Sequence, residues 1–266
     1  MKMSELTLII PAYDESPYIE ECIISLKNQK LYAEIIITAA KNSTFLSEIS
    51  NKYQIKLIIN PSPDNTIADD WNFAINQCQT KYLVLAHQDD YYKPDFSGEL
   101  IKLANECSDN LITFTFYDEK DSGGTTSNSS ILLIKKIILS ATFLNKNIVR
   151  SKFRKRLLLM FGPAIPCPAV MYNIQKLKNI RFDQNFKVNL DWDYWTKLIK
   201  QRGSIGFVNK SLMVHRIHSG STTFTSVKSN IRKKEDMILF KRLWYFPLNL
   251  IMAKIYTLGY SRNLNT

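Results

Sequence analysis

The sequence lacks any apolar run near the roughly 18 residues needed to cross a bilayer. The longest candidate, residues 244–253, is about half that length and is interrupted by Pro247. Before the first strand-like segment there is no charged and apolar leader, because residues 1–8 run directly into it. A place in the cytoplasm or on a membrane surface is therefore expected. The four cysteines (Cys22, Cys78, Cys107 and Cys167) are widely spaced without a C-x-x-C pair, which argues against a zinc site or a disulfide framework. The eight glycines include no Walker-type phosphate loop, which removes the commonest phosphoryl-transfer architecture. Apolar residues make up 45% of the 266, enough to offset the entropy of ordering a folded chain. The net charge of +11 favours anionic partners without choosing among them. Nucleic acid is not expected, because the basic residues lie among aliphatic side chains and carry no recognition-module signature.

What is present begins with alternation. Residues 6–10, 35–38, 55–59 and 82–86 are short apolar runs of strand length, separated by segments of helical period. The first helix is expected to start at Ser16-Pro17, with Ile19, Cys22, Ile23 and Leu26 on its buried stripe. A short helix is expected from about Thr44. Another, from near Thr66, carries Ile67, Trp71, Ala74, Ile75 and Cys78 on one face. Buried strands alternating with helices predict an α/β fold with a mainly parallel sheet, which binds ligands at the carboxyl ends of its strands. Residues 118–130 read as a polar loop. Residues 131–161 form a basic and apolar helical insertion, and residues 224–266 a basic, amphipathic helical extension beyond a main domain of residues 1–223.

Four polar clusters fall where such a sheet places its ligands. Pro11-Ala12-Tyr13-Asp14-Glu15 follows the first strand. His87-Gln88-Asp89-Asp90 ends the fourth, and adjacent acids after an apolar run are costly unless they face solvent or bind a cation. Hard oxygen ligands suit Mg²⁺ or Mn²⁺ on a diphosphate. Asp191-Trp192-Asp193-Tyr194-Trp195 opens a helix. Its acids are either partners of the helix dipole or, beside two tryptophans, a general base next to a sugar. His215-Arg216-Ile217-His218 follows an expected strand over residues 211–214 and precedes the hydroxyls of Ser219, Ser221, Thr222 and Thr223. The group suits metal and phosphate contact.

Taken in order, these clusters resemble the family 2 glycosyltransferases of GT-A fold. The resemblance rests on Leu8-Ile9-Ile10-Pro11-Ala12-Tyr13-Asp14-Glu15, Cys22-Ile23-x-Ser25-Leu26-x-x-Gln29 and Asp70-Trp71-Asn72. It continues through Tyr82-Leu83-x-Leu85-Ala86-His87-Gln88-Asp89-Asp90, Phe182-Asp183, the Asp191 segment and the His215 segment. The His-Gln-Asp-Asp run is similar to a bacterial branch that carries it where others have Asp-x-Asp-Asp.

The resemblance implies a nucleotide-sugar donor, a Mn²⁺ or Mg²⁺ cofactor and an inverting transfer in the synthesis of bacterial surface polysaccharide. It implies Asp89 as a metal ligand, joined by His218, and Asp191 as catalytic base, with Asp193 its rival. Pro11, Ala12, Tyr13, Glu15, Trp71, His87, Gln88 and Arg216 would line the donor site, and Asp90, Trp192 and Asp193 would contact sugar or acceptor. Relatives carry an acidic turn after the second strand that grips the nucleotide base. Here it is Thr38-Ala39-Ala40-Lys41-Asn42, so Asn42 or Asp69 is the expected substitute, with a UDP-sugar favoured and a dTDP-sugar allowed. The implied acceptor is a saccharide, free or linked to polyprenyl diphosphate. The basic, apolar segments are read either as a platform on the inner face of an anionic membrane or as a solvated face over an ordinary core stripe. A catalytically inactive protein that binds sugar nucleotides is the competing expectation.

Overall fold

A computed structural model of the chain describes residues 4–13, 15–62, 66–121, 123–126, 129–218 and 230–263. Asp14, the hydroxyl run Ser219 to Thr223 and the expected domain boundary at residue 223 lie outside them.

The N-terminal half alternates β1 (Leu6–Ala12), α1 (Ile19–Lys27), β2 (Glu34–Ala39), α2 (Thr44–Tyr53), β3 (Lys56–Ile59), α3 (Ile67–Gln77) and β4 (Tyr82–Leu85). Next come β5 (Tyr91–Tyr92), α4 (Phe96–Asn105), β6 (Asn110–Asp121), β7 (Gly124–Thr126), α5 (Ser130–Phe143), β8 (Ile148–Val149) and α6 (Lys152–Met160). The chain continues through β9 (Val170–Asn173), α7 (Leu190–Leu198) and β10 (Ser204–Arg216). It ends in α8 (Asn230–Leu243) and α9 (Leu248–Asn263). The strands form one sheet in the order β3-β2-β1-β4-β9-β6-β10-β5, with β7 on β6 and β8 on β10.

The expected α/β fold is present. Strands β3, β2, β1 and β4 pair in parallel, as do β6 and β10, while β9 enters antiparallel between the two groups. Strand β1 is the centre of the first group, and its run Leu8, Ile9 and Ile10 is fully buried, as a strand covered on both faces requires. Helix α3 starts where its cap dictates. The Thr66 hydroxyl accepts from the Asp69 N–H at 3.2 Å, and the Asp69 carboxylate reaches back to Thr66.

Several expectations shift. Helix α1 begins at Ile19, because Ser16 turns its hydroxyl to the Tyr18 N–H in the turn before it. Much of the expected polar loop of residues 118–130 is strand: β6 runs to Asp121 and turns back through β7. The expected strand over residues 211–214 is the end of β10, thirteen residues long. The expected amphipathic extension is α8 and α9, and α9 is apolar on both sides. Ala253 is buried, while Leu248, Ile251 and Ile255 face solvent. The apolar run 244–253 is divided between the link after α8 and the start of α9, and no helix among the described residues is long and apolar enough to cross a membrane.

Candidate active site

The carboxyl ends of β1, β2 and β4 open side by side, and the chain places its polar clusters there. Beyond β1, Tyr13 projects into solvent, and its backbone is held on both sides by one side chain. The Tyr13 N–H donates to Gln88 Oε1 at 3.0 Å, and Gln88 Nε2 donates to the Tyr13 carbonyl at 2.8 Å. Gln88 thus joins the ends of β1 and β4, with Pro11 and Ala12 finishing β1 behind it. Glu15 and Asn42 are exposed at the mouth, and the Asn42 side chain accepts from the Ser47 hydroxyl at 3.1 Å.

Asp89 and Asp90 point in different directions, and that separates their roles. Asp90 is buried. Its Oδ1 lies 3.0 Å from His215 Nδ1 and accepts the Arg216 N–H at 2.9 Å, so it pins the end of β10 to the turn after β4. Of the carboxylate expected to contact sugar or acceptor, one oxygen, Oδ1, thus faces β10. Asp89 is half-buried, with Oδ2 3.0 Å from His218 Nε2 across 129 residues of sequence. Burial works against its charge, but His87, His218 and His215 outweigh that and hold its pKa below the ordinary value. His87 stacks at a tilt on Trp71, 5.3 Å between ring centroids.

His87, Asp89 and Asp90 bring ligand atoms within 4.8 Å of one another. His87 Nε2 and Asp90 Oδ2 are buried without a hydrogen-bond partner. Two ligands held at about 2.1 Å on adjacent octahedral positions lie about 3 Å apart, as the Asp89 and His218 atoms do. The residues fit a divalent cation. A set mixing imidazole with carboxylate suits Mn²⁺ better than Mg²⁺, which prefers oxygen alone.

Arg216 reaches inward. Its Nε donates to the Asp89 carbonyl at 3.0 Å, its guanidinium pairs with Glu21, and it lies over the Tyr18 ring at 4.3 Å. It steadies the turn that carries Asp89. Asp69 is engaged by its cap and by Gln184. Its neighbour Asp70 instead takes a hydrogen bond from Asn60 Nδ2 at 2.9 Å at the end of β3, and burial raises its pKa.

Opposite, α7 carries Asp191. The carboxylate is half-buried and accepts the Trp192 N–H at 2.7 Å. Burial raises its pKa. The Trp192 hydrogen bond and the charges of Arg232, Lys135 and His87 oppose the rise without cancelling it. The charge of His87 acts on both Asp89 and Asp191, so both carboxylates lie within its electrostatic reach. Trp192 and Asp193, expected to contact sugar or acceptor, are both buried. Trp192 is packed against Phe240 and Tyr256. Asp193 is buried in ion pairs with Lys197, at 2.6 Å, and Arg242. Two residues are a little over half a turn of helix, about 200°, so the half-buried Asp191 and the buried Asp193 point to opposite sides of α7.

Sequence reasoning missed two features of this site. Lys135, on α5, donates to the Tyr117 hydroxyl at 2.8 Å and places its charge near Asp191. Glu235 and Asp236, on α8, hold the start of α7. Glu235 accepts the N–H groups of Lys187, Val188 and Asn189 at 2.7, 3.1 and 2.8 Å, and Asp236 accepts from Asn189 Nδ2 at 2.9 Å. Two adjacent acids in an otherwise basic helix were the available signal.

Residues 7–197 match the Glycosyl transferase family 2 domain. An uncharacterized glycosyltransferase of Methanocaldococcus jannaschii is 22% identical over 262 residues, covering 94% of this chain and 84% of that protein. Among solved structures, S. aureus TarS 1-349 in complex with UDP-GlcNAc superposes with a TM-score of 0.67 at 16% identity, covering 90% of this chain and 66% of that one. The mannosyltransferase PcManGT from Pyrobaculum calidifontis, in complex with GDP-Man and Mn²⁺, gives 0.65 at 12% identity, covering 95% and 69%. The domain match spans most of the sheet and the Asp191 helix, and these structures share the fold: the chain belongs to glycosyl transferase family 2.

Proposed function

We propose that this protein is an inverting, metal-dependent glycosyltransferase. It takes a sugar from a nucleotide-sugar, a UDP-sugar in preference to a dTDP-sugar, and places it on a saccharide or polyprenyl-diphosphate-linked saccharide. The proposed setting is surface polysaccharide synthesis at the inner face of the cell membrane. One observation carries the reading: Asp89 and His218 converge beside His87, whose charge also reaches Asp191 on α7. The complexes of the neighbours, UDP-GlcNAc with TarS and GDP-Man with Mn²⁺ in PcManGT, support the donor class.

Asp89 and His218 hold Mn²⁺ or Mg²⁺ in this reading, and the bound ion supplies charge to offset the departing nucleoside diphosphate. Trp71 and His87 offer a stacked aromatic wall to the donor. Tyr13, fixed through its backbone by Gln88, is the exposed ring at the same edge. Asp191 accepts the proton of the acceptor hydroxyl as its oxygen attacks the anomeric carbon. The bond to the diphosphate breaks on the opposite face, and the electron pair leaves with the nucleotide. One base opposite one leaving group inverts the anomeric centre.

The test is the stereochemistry of transfer followed by NMR, with Asp191→Asn as the control. Inverted product and a rate lowered by about 10²–10⁴-fold in the variant are expected. Retained configuration, or an unimpaired variant, overturns the assignment of Asp191.

A further inference from the structure

Helix α5 is apolar on two faces, with Lys135, Lys136 and Ser140 among its polar positions. Leu132, Ile138, Leu139 and Phe143 are buried beneath it, while Leu133, Ile134, Ile137 and Leu144 are 55–62% exposed along its outer side. Those four positions fall at i, i+1, i+4 and i+11, which is one face of a helix. A contiguous apolar outer face of this kind marks an interaction surface. Helix α9 repeats the pattern with Leu248, Ile251 and Ile255, and Tyr245 and Phe246 project from the link before it at 83% and 79% exposure. Lys135 of α5 lies within electrostatic reach of Tyr256 of α9 and of Asp191.

Charge identifies the cover. Helices α5, α6, α8 and α9 contain no acidic residue except Glu235 and Asp236, and both are buried against α7. Their exposed charges include Lys152, Lys233, Lys234, Lys241 and Lys254. Apolar outer faces with exposed lysines on the same and neighbouring helices, and no exposed acid on those helices, complement an anionic surface with an apolar interior.

We propose that the outer faces of α5 and α9 dock on an anionic lipid bilayer and set the Asp191 mouth against the membrane. Delivery of a lipid-linked acceptor there rests on the transferase reading above; the docking itself does not.

The experiment is co-sedimentation of the full chain with vesicles of phosphatidylcholine alone or with roughly 30% phosphatidylglycerol, at low and high salt. Donor hydrolysis is measured in parallel without vesicles. Binding to the anionic vesicles alone, weakened by salt, is expected. Ile134→Glu with Ile137→Glu should weaken binding by roughly tenfold or more and leave hydrolysis unchanged. Ile251→Glu with Ile255→Glu provides an independent pair should the first fail to fold. Replacing Lys233 and Lys234 with Gln should cost roughly fivefold each, the equivalent of ~1 kcal/mol per charge near the surface. Absence of binding by the wild type, or equal binding by folded variants, overturns the proposal. So does a wild-type dimer that the α5 variant dissociates, since the face would then join two copies of the chain. Failure of hydrolysis with vesicle binding intact would count against the transferase reading alone.

Discussion

Individual carboxylates in this site differ by what surrounds them. Asp89 is held charged by three histidines, whereas Asp191 is pushed by burial toward its protonated form. A general base must be unprotonated to work, so activity should fall as pH drops through the raised pKa of Asp191. The acid limb of kcat/KM should therefore lie above the ordinary aspartate value of about 3.9. Lys135 favours the charged form of Asp191. Lys135→Ala should move that limb to higher pH, and a pH–rate profile of the two proteins checks it. A limb that does not move would remove Lys135 from the site. Asp89 and Asp191 were legible in the sequence because acids at a strand end and in a first helical turn are visible without coordinates. Lys135 was not, since only the path of α5 across the mouth brings it there. Asp90 and Asp193 show the complementary limit. Residue type and spacing marked them as chemical, and the structure buries both, Asp90 against His215 and Asp193 against Lys197 and Arg242, partners that only the folded chain brings to them.

Among elements, α8 does more than its composition suggested. Its Glu235 takes three backbone N–H groups, those of Lys187, Val188 and the N-cap Asn189, and so fixes the segment that leads into α7. Charge-assisted bonds of this kind contribute about 1.5–3 kcal/mol each, with strong coupling among them. Glu235→Ala should destabilise the fold by on the order of 3 kcal/mol in urea unfolding. It should also lower kcat with little change in donor KM, because it loosens the helix that carries Asp191 and leaves the Asp89 side intact. A stability loss with unchanged kcat would show that the clamp serves folding only. The strands of the first half were readable from their apolar runs and caps, as Leu8 to Ile10 and Thr66 show. The four residues of β9 were not, because a run that short acquires its identity only from pairing with β4 and β6. Strand β10 was found only at its end, since most of its length is defined by the neighbouring β6.

At the scale of the whole molecule, the fold brings Tyr13, Trp71, His87 with Asp89, and His218 from four separate stretches of chain to the carboxyl end of the sheet, with Asp191 of a fifth within electrostatic reach of His87. The α/β alternation made the ligand-binding end of the sheet predictable. How α5, α8 and α9 fold back was not predictable, because basic and apolar residues fit a membrane platform and a solvated face equally well. The central claim is a metal-dependent attack on a nucleotide-sugar. The most direct test is hydrolysis of a panel of nucleotide-sugars with Mn²⁺ or with EDTA, by the wild type and by Asp89→Ala. The account predicts cleavage of one donor class by the wild type with Mn²⁺, abolished by EDTA and by the substitution. Cleavage that survives EDTA, or an Asp89→Ala protein as active as the wild type, would contradict it.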